Sequence, residues 1–312
     1  MTNTTNLSNS EILTTNPLSP EQINRYHQDG FIIIPSFFNR QEIEPLYKAC
    51  VEDTKLQENE TSFLDIDGNI CRFTYFMETQ NTLLGSIPRL ARMVDAVETL
   101  LGGKECYHWH SKVVRKEPHS QGYFNWHQGY GAWYYDGCLF PDFVSTFVAV
   151  TSATKENGCV QVLKSSHLLG RIDHINSRGN MITDPERMEV ILKKLELVYC
   201  EMEPGDILIM HGNTLHYSEN NQTDHPRVLV VSHYNSADNE PYDLEGAEIL
   251  RYRPLKKLPD SWLQDKKYDS VFIDKDFFNQ QKTDDAELYA GVGNLEKRYS
   301  RLPNTRKINE MP

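Results

Sequence analysis

The 312-residue chain has no stretch near the ~20 consecutive apolar residues that a membrane-spanning helix requires. This excludes a membrane partner of that kind. Cysteine is sparse: Cys50, Cys71, Cys106, Cys138, Cys159 and Cys200 are scattered, with no CxxC pair. That spacing excludes a thiolate zinc site and a dense disulfide scaffold, so the cysteines read as reduced thiols. Positive charge is also short, with 32 Lys and Arg against 44 Asp and Glu for a net charge of −12. A nucleic-acid partner needs a basic face, so none is expected. An acidic carrier protein as bearer of the substrate is disfavoured on the same ground. The first 19 residues, rich in Asn, Thr and Ser, lack the charged start and apolar run of a secretory signal. They read as a disordered lead-in, and the location expected is cytoplasmic.

What is present begins with helices. Ser19-Pro20-Glu21-Gln22 combines a cap, a proline at the first helical position and a Gln three residues after the cap. That helix is expected to stop at Asp29-Gly30, before a buried strand Phe31–Ile34. A second helix opens at Asn39 with Ile43, Leu46, Tyr47, Cys50 and Val51 on its apolar face. A third spans roughly Pro88 to Leu101. From about residue 105 the pattern changes to short strands: Tyr107–Val114, Phe143–Val150, Cys159–Leu163 after an Asn157-Gly158 hairpin signal, Leu197–Met202, Ile207–Met210 and Val228–Tyr234. Met181–Leu195 reads as a helical insertion. The fold expected is α+β, mainly β: a double-stranded β-helix (jelly roll) braced by N-terminal helices. One domain is expected over 20–312, with helical support at 20–104, a jelly-roll core at 105–240 and a wrapping segment at 241–312.

The site candidates come from His127 in Trp126-His127-Gln128-Gly129-Tyr130-Gly131 and from His216, Ser218 and Arg227 downstream. A facial iron site needs His-x-Asp/Glu on one strand and a distant second His, leaving positions open for cosubstrate and O2. Here Gly129 stands where the carboxylate belongs, and it cannot ligate. Arg227 opens an apolar strand, where a planar, always-charged fork suits a dicarboxylate tail.

These segments, WHQGYG (126–131), ENGCVQVLKSSH (156–167), GDILIMHGNTLHYS (205–218) and Pro226-Arg227, resemble the phytanoyl-CoA dioxygenase-like family of iron(II)/2-oxoglutarate oxygenases. The resemblance runs from about residue 20 to 240. It implies that His127 and His216 ligate Fe(II), that Arg227 and Ser218 hold the distal carboxylate of 2-oxoglutarate, and that Lys112 and Trp133 line the cosubstrate pocket. It places His211 beside the metal ligands rather than among them. The departure at Gly129 resembles the His-x-Gly motif of non-haem iron halogenases, in which chloride fills the open coordination position. Chloride for carboxylate leaves the total charge of the iron–2-oxoglutarate unit unchanged, and glycine leaves room for the larger ion. The function expected is therefore chlorination of an unactivated C–H bond in a free small metabolite. The alternatives are a hydroxylase variant lacking its iron-binding Asp, and a non-catalytic metabolite-binding protein. A carboxylate from Asp136 is disfavoured by its spacing. Phe124, Asn125, Tyr134, Tyr135 and Arg171 are candidates for the substrate pocket, with His174 beside Arg171 as a further contact for an anionic group.

Overall fold

In the computed structural model the described residues are 16–58, 60–177, 180–244 and 248–272. The strands are β1 (Phe31–Ile34), β2 (Thr61–Leu64), β3 (Ile70–Phe76), β4 (Cys106–Lys116), β5 (Phe124–His127), β6 (Phe143–Ala149), β7 (Val160–Leu163), β8 (His174–Ser177), β9 (Asn180–Thr183), β10 (Leu197–Cys200), β11 (Ile207–His211), β12 (His216–Ser218) and β13 (Arg227–Ser236). The helices are α1 (Pro20–Asp29), α2 (Arg40–Tyr47), α3 (Lys55–Glu58), α4 (Leu83–Ser86), α5 (Ala91–Leu100), α6 (Gly129–Trp133) and α7 (Pro185–Leu192). Seven strands form an antiparallel sheet in the order β1-β11-β6-β13-β4-β3-β2, and four form a second in the order β10-β7-β12-β5. This is the expected jelly roll.

The period-two alternation of β13 organises the layers. Val228, Val230 and Tyr234 join the core between the large sheet and α1, α2 and α5. Leu229 and Val231 turn the other way, into the core shared with Val160 and Val162 of the small sheet. Arg227 and His233 follow that inward face and line a cavity between the sheets. The helices form as their caps dictate. Ser19 and Gln22 make a reciprocal capping box for α1, Gly30 closes it with a positive φ of 85°, and Asn39 and Glu42 make a second box for α2.

Several boundaries differ from the sequence reading. The large sheet draws β1, β2 and β3 from the region read as helical support, and β1 alternates in burial rather than being buried throughout. Tyr47, the last residue of α2, is exposed, and the helix continues into a π-helical turn at Lys48–Glu52 that buries Cys50. The third helix starts at Ala91, after a 3-10 turn at Ile87–Arg89. Met181–Leu195 holds the end of a β8–β9 hairpin before α7, not a single helix. Of the expected lead-in, residues 1–15 lie outside the described residues, while Leu18 is buried and Ser19 caps α1. In the C-terminal segment, Leu258 and Leu263 pack into the helical core, and bridges pair Leu90 with Leu258 and Thr82 with Ser270. Residues 273–312 lie outside the described residues. All six cysteines are free and buried, and no described helix is long and apolar enough to cross a membrane.

Asn157-Gly158 does not make a hairpin. β6 belongs to the large sheet and β7 to the small one, so this turn carries the chain across the sandwich. The buried Asn157 side chain fastens the turn, donating to the Ser152 carbonyl (2.9 Å) and accepting from the Thr154 amide (2.8 Å). Gly158 has φ +77°, and a Cβ there would run into the carbonyl oxygen of Glu219, just past β12. Gly158→Ala should therefore lower stability by more than the roughly 1–2 kcal/mol of the left-handed conformation alone. Thermal melting checks this; an unchanged midpoint would count against the close approach.

Candidate active site

β12 lies between β7 and β5, and its register sets His216 directly opposite His127. The two imidazoles face each other with ring centroids 4.0 Å apart. Each is oriented by its own chain. His127 Nδ1 donates to the Asn125 carbonyl (2.7 Å), and His216 Nδ1 donates to the Thr214 carbonyl (2.9 Å). A carbonyl only accepts, so Nδ1 bears the proton and Nε2 keeps its lone pair, the tautomer a metal ligand needs. Burial holds both rings neutral: it pulls His216 down to about 4, and with the neighbouring His216 it pulls His127 well below the usual histidine range.

Arg227, at the start of β13, is buried. Among the described residues no carboxylate pairs with it, and its Nε has no hydrogen-bond partner. Desolvation draws it down to about 10. Opposite it in register is Lys116, whose buried ammonium bonds the carbonyls of Gly122, Ser218 and Glu219. That one cation ties the approach to β5 to the end of β12. Burial also draws Lys112 down to about 8.

His127, His216, Ser218, Arg227, Lys112, Trp133, Gly129 and Phe124 all line one cavity of about 960 Å3, counted out to its open mouth. No acidic side chain lines it, and no group of three metal-binding side chains exists among the described residues. Asp136 is not in its wall.

The room expected beside Gly129 is taken. Gly129 opens the short helix α6, and a Cβ on it would lie 2.5 Å from Cη2 of Trp133, one turn later. Trp133 is itself held against Phe143, with centroids 4.4 Å apart. The carboxylate is absent, and the edge of an indole borders the space instead.

Other expected contacts fall elsewhere. Asn125 lines a small neighbouring cavity, and its carbonyl orients His127. Tyr134, Tyr135 and Arg171 are outside the main cavity: Arg171 stacks over Tyr134 (4.5 Å) and Tyr135 (4.9 Å), bonds the Tyr135 hydroxyl (2.7 Å) and pairs with Asp173 (3.2 Å). His174 is buried, and its Nε2 accepts from the Gln128 amide (3.0 Å). The Gln128 side chain in turn bonds the carbonyls of Gly170 and Asn213 and the amide of Ile172, which clamps the turn after His127. His211 is turned away, towards His167 and Tyr26. The sequence reading missed His110, Ser145 and His233, which line the cavity. The signal was available: two-residue steps from Lys112 and from Arg227 reach His110 and His233.

A jelly roll with an inward arginine and two facing histidines defines an oxygenase-type fold, and comparison with known proteins agrees. The family model for phytanoyl-CoA dioxygenase (PhyH) matches residues 26–229. The chain belongs to this family of iron- and 2-oxoglutarate-dependent oxygenases. It is 24% identical to the ectoine dioxygenase of Bordetella parapertussis over 71% of this chain and 77% of that one. It is 24% identical to the L-proline trans-4-hydroxylase of Streptomyces griseoviridis over 70% and 86%. The crystal structure of EctD from S. alaskensis with 2-oxoglutarate and 5-hydroxyectoine shares the fold, with a TM-score of 0.64 and 22% identity over 80% of this chain and 91% of that one.

Any side chain at 129 must displace Trp133. Gly129→Ala should destabilise the protein by about 1–3 kcal/mol. Placing Trp133→Leu in the same chain should return part of that loss. Melting curves of the single and double variants check the coupling; additive losses would show that the two positions do not compete for space.

Proposed function

We propose that the protein is an iron(II)- and 2-oxoglutarate-dependent halogenase acting on a C–H bond of a small metabolite. The observation behind this reading is a two-histidine site in a cavity that no carboxylate lines among the described residues. The donor set fits iron: two neutral imidazoles with free Nε2 lone pairs, each held by a main-chain carbonyl. The buried, unpaired guanidinium of Arg227 fits the distal carboxylate of 2-oxoglutarate, with Ser218 beside it and Lys112 and Trp133 nearby.

Bound iron, 2-oxoglutarate and O2 supply the oxidation of the C–H bond. The chain's own residues do the rest. His127 and His216 fix the metal, Arg227 and Ser218 set the cosubstrate's direction, and the apolar walls of Phe73, Phe147 and Leu229 exclude water. The charge balance favours an added anion. A doubly charged cosubstrate offsets iron(II), and among the described residues no acidic side chain lines the cavity to balance the further charge of Arg227. Chloride meets that need once the indole of Trp133 yields space beside Gly129, and the ring's edge, its positive rim, is then a compatible neighbour.

A second reading, hydroxylation, is favoured by the relatives, which are named as a dioxygenase of ectoine and a hydroxylase of L-proline.

Products formed in chloride and in chloride-free buffer separate the two. The halogenase reading expects a chlorinated product by mass spectrometry together with succinate. Equal turnover to a hydroxylated product without chloride would overturn it. Gly129→Asp should abolish chlorination and remain poor at hydroxylation, because the new carboxylate collides with Trp133. Vigorous hydroxylation by Gly129→Asp, with no chlorination by the parent, would establish the second reading. Arg227→Ala should weaken 2-oxoglutarate binding by roughly 10–100-fold, read by calorimetry.

A further inference from the structure

The inward face of the large sheet has a polar rung at the far end of the cavity from Arg227. His233 on β13 lies in register with His110 on β4 and with Ser145 on β6. All three line the cavity. His233 Nδ1 is bonded to Ser145 Oγ at 2.7 Å, which fixes the plane of the ring. Its Nε2 is buried and has no hydrogen-bond partner. His110 packs on His233 with centroids 4.4 Å apart and against Tyr75 at 4.9 Å. Lys112 is the next inward residue on β4.

An unpartnered buried imidazole nitrogen normally costs about 1–3 kcal/mol, so an orphan on a ring that lines a cavity is a group suited to a ligand. Six residues of β13 separate His233 from Arg227, about 20 Å at strand rise. A five-carbon dicarboxylate seated on Arg227 does not reach that far. The rings of His216 and His233 both contact Phe147, at 6.2 and 6.4 Å, so this rung begins where the histidine pair ends. It is the place for the organic substrate.

The chemistry of that substrate follows from the surroundings. Among the described residues the wall holds no carboxylate to receive an ammonium group, and Lys112 lies one inward step away on β4. The Ser145 hydroxyl can donate to Nδ1, and in that tautomer His233 presents Nε2–H to an oxygen anion. We propose that His233, positioned by Ser145 and flanked by His110 and Lys112, is the specificity-determining residue that receives a carboxylate of the substrate, so that the substrate is a small organic acid. This rests on the reading above that Arg227 holds 2-oxoglutarate.

The test uses the full chain labelled with 15N-histidine, with zinc(II) as a diamagnetic stand-in for iron, and acetate as the probe. Acetate is titrated with and without saturating 2-oxoglutarate in chloride-free buffer. 2-Oxoglutarate binding is measured separately by calorimetry, so failure of the cosubstrate site is seen apart from failure at His233. The expected result is a saturable shift of the His233 and His110 ring signals with acetate. In His233→Leu the His110 signal should report binding about tenfold weaker, and in His233→Gln, which keeps a donor, binding should be largely restored. Absence of a saturable shift would overturn the proposal, as would acetate affinity unchanged in His233→Leu. An equal response to chloride at the same ionic strength would assign the rung to a halide and also overturn it. In a panel of small carboxylic acids without an amino group and their primary amides, the acids should be the compounds that raise succinate release. Stimulation confined to the amides would refute the carboxylate assignment.

Discussion

The guanidinium of Arg227, buried and with no carboxylate paired to it among the described residues, is the constraint around which the interior is arranged. An uncompensated buried charge costs several kcal/mol, and its neighbours do little to relieve it. Lys116, opposite in register, adds a second buried cation whose bonds go to three carbonyls. Cys71 and Cys159 lie close enough to influence Arg227, but as thiols they bring no charge. The fold bears this expense because β13 is secured on both sides, by β4 and β6, over most of its length. A sheet interior is therefore used to hold a cation ready for an anion, at a cost the surrounding apolar layers absorb.

The same strand explains why so much of this was legible beforehand. The apolar run from Val228 announced a strand, and the caps at Ser19 and Asn39 announced helices, because each is a local signal read within a few residues. His127, His216, Ser218 and Arg227 could be singled out because their spacing has a chemical rationale. The cavity does bring them together.

What stayed hidden depended on contacts distant in sequence. The Asn157-Gly158 pair has the composition of a hairpin, yet its flanking strands belong to different sheets. Nothing local distinguishes a turn that folds a strand back from one that crosses a sandwich. Arg171, Tyr134 and Tyr135 looked like pocket residues by proximity to the motif, but they satisfy one another on the outside. The indole of Trp133 against Gly129 was invisible too. Helical spacing places residue 133 near 129, but the direction of the ring is set by Phe143, on another strand.

Each of the two facing histidines takes its orientation from a carbonyl two residues upstream in its own chain. Neither leans on the residue at position 129. The orientation of the pair is thus independent of position 129. A side chain placed there is felt first by the indole of Trp133, so the residue at 129 governs packing around the rings and leaves their own anchorage alone.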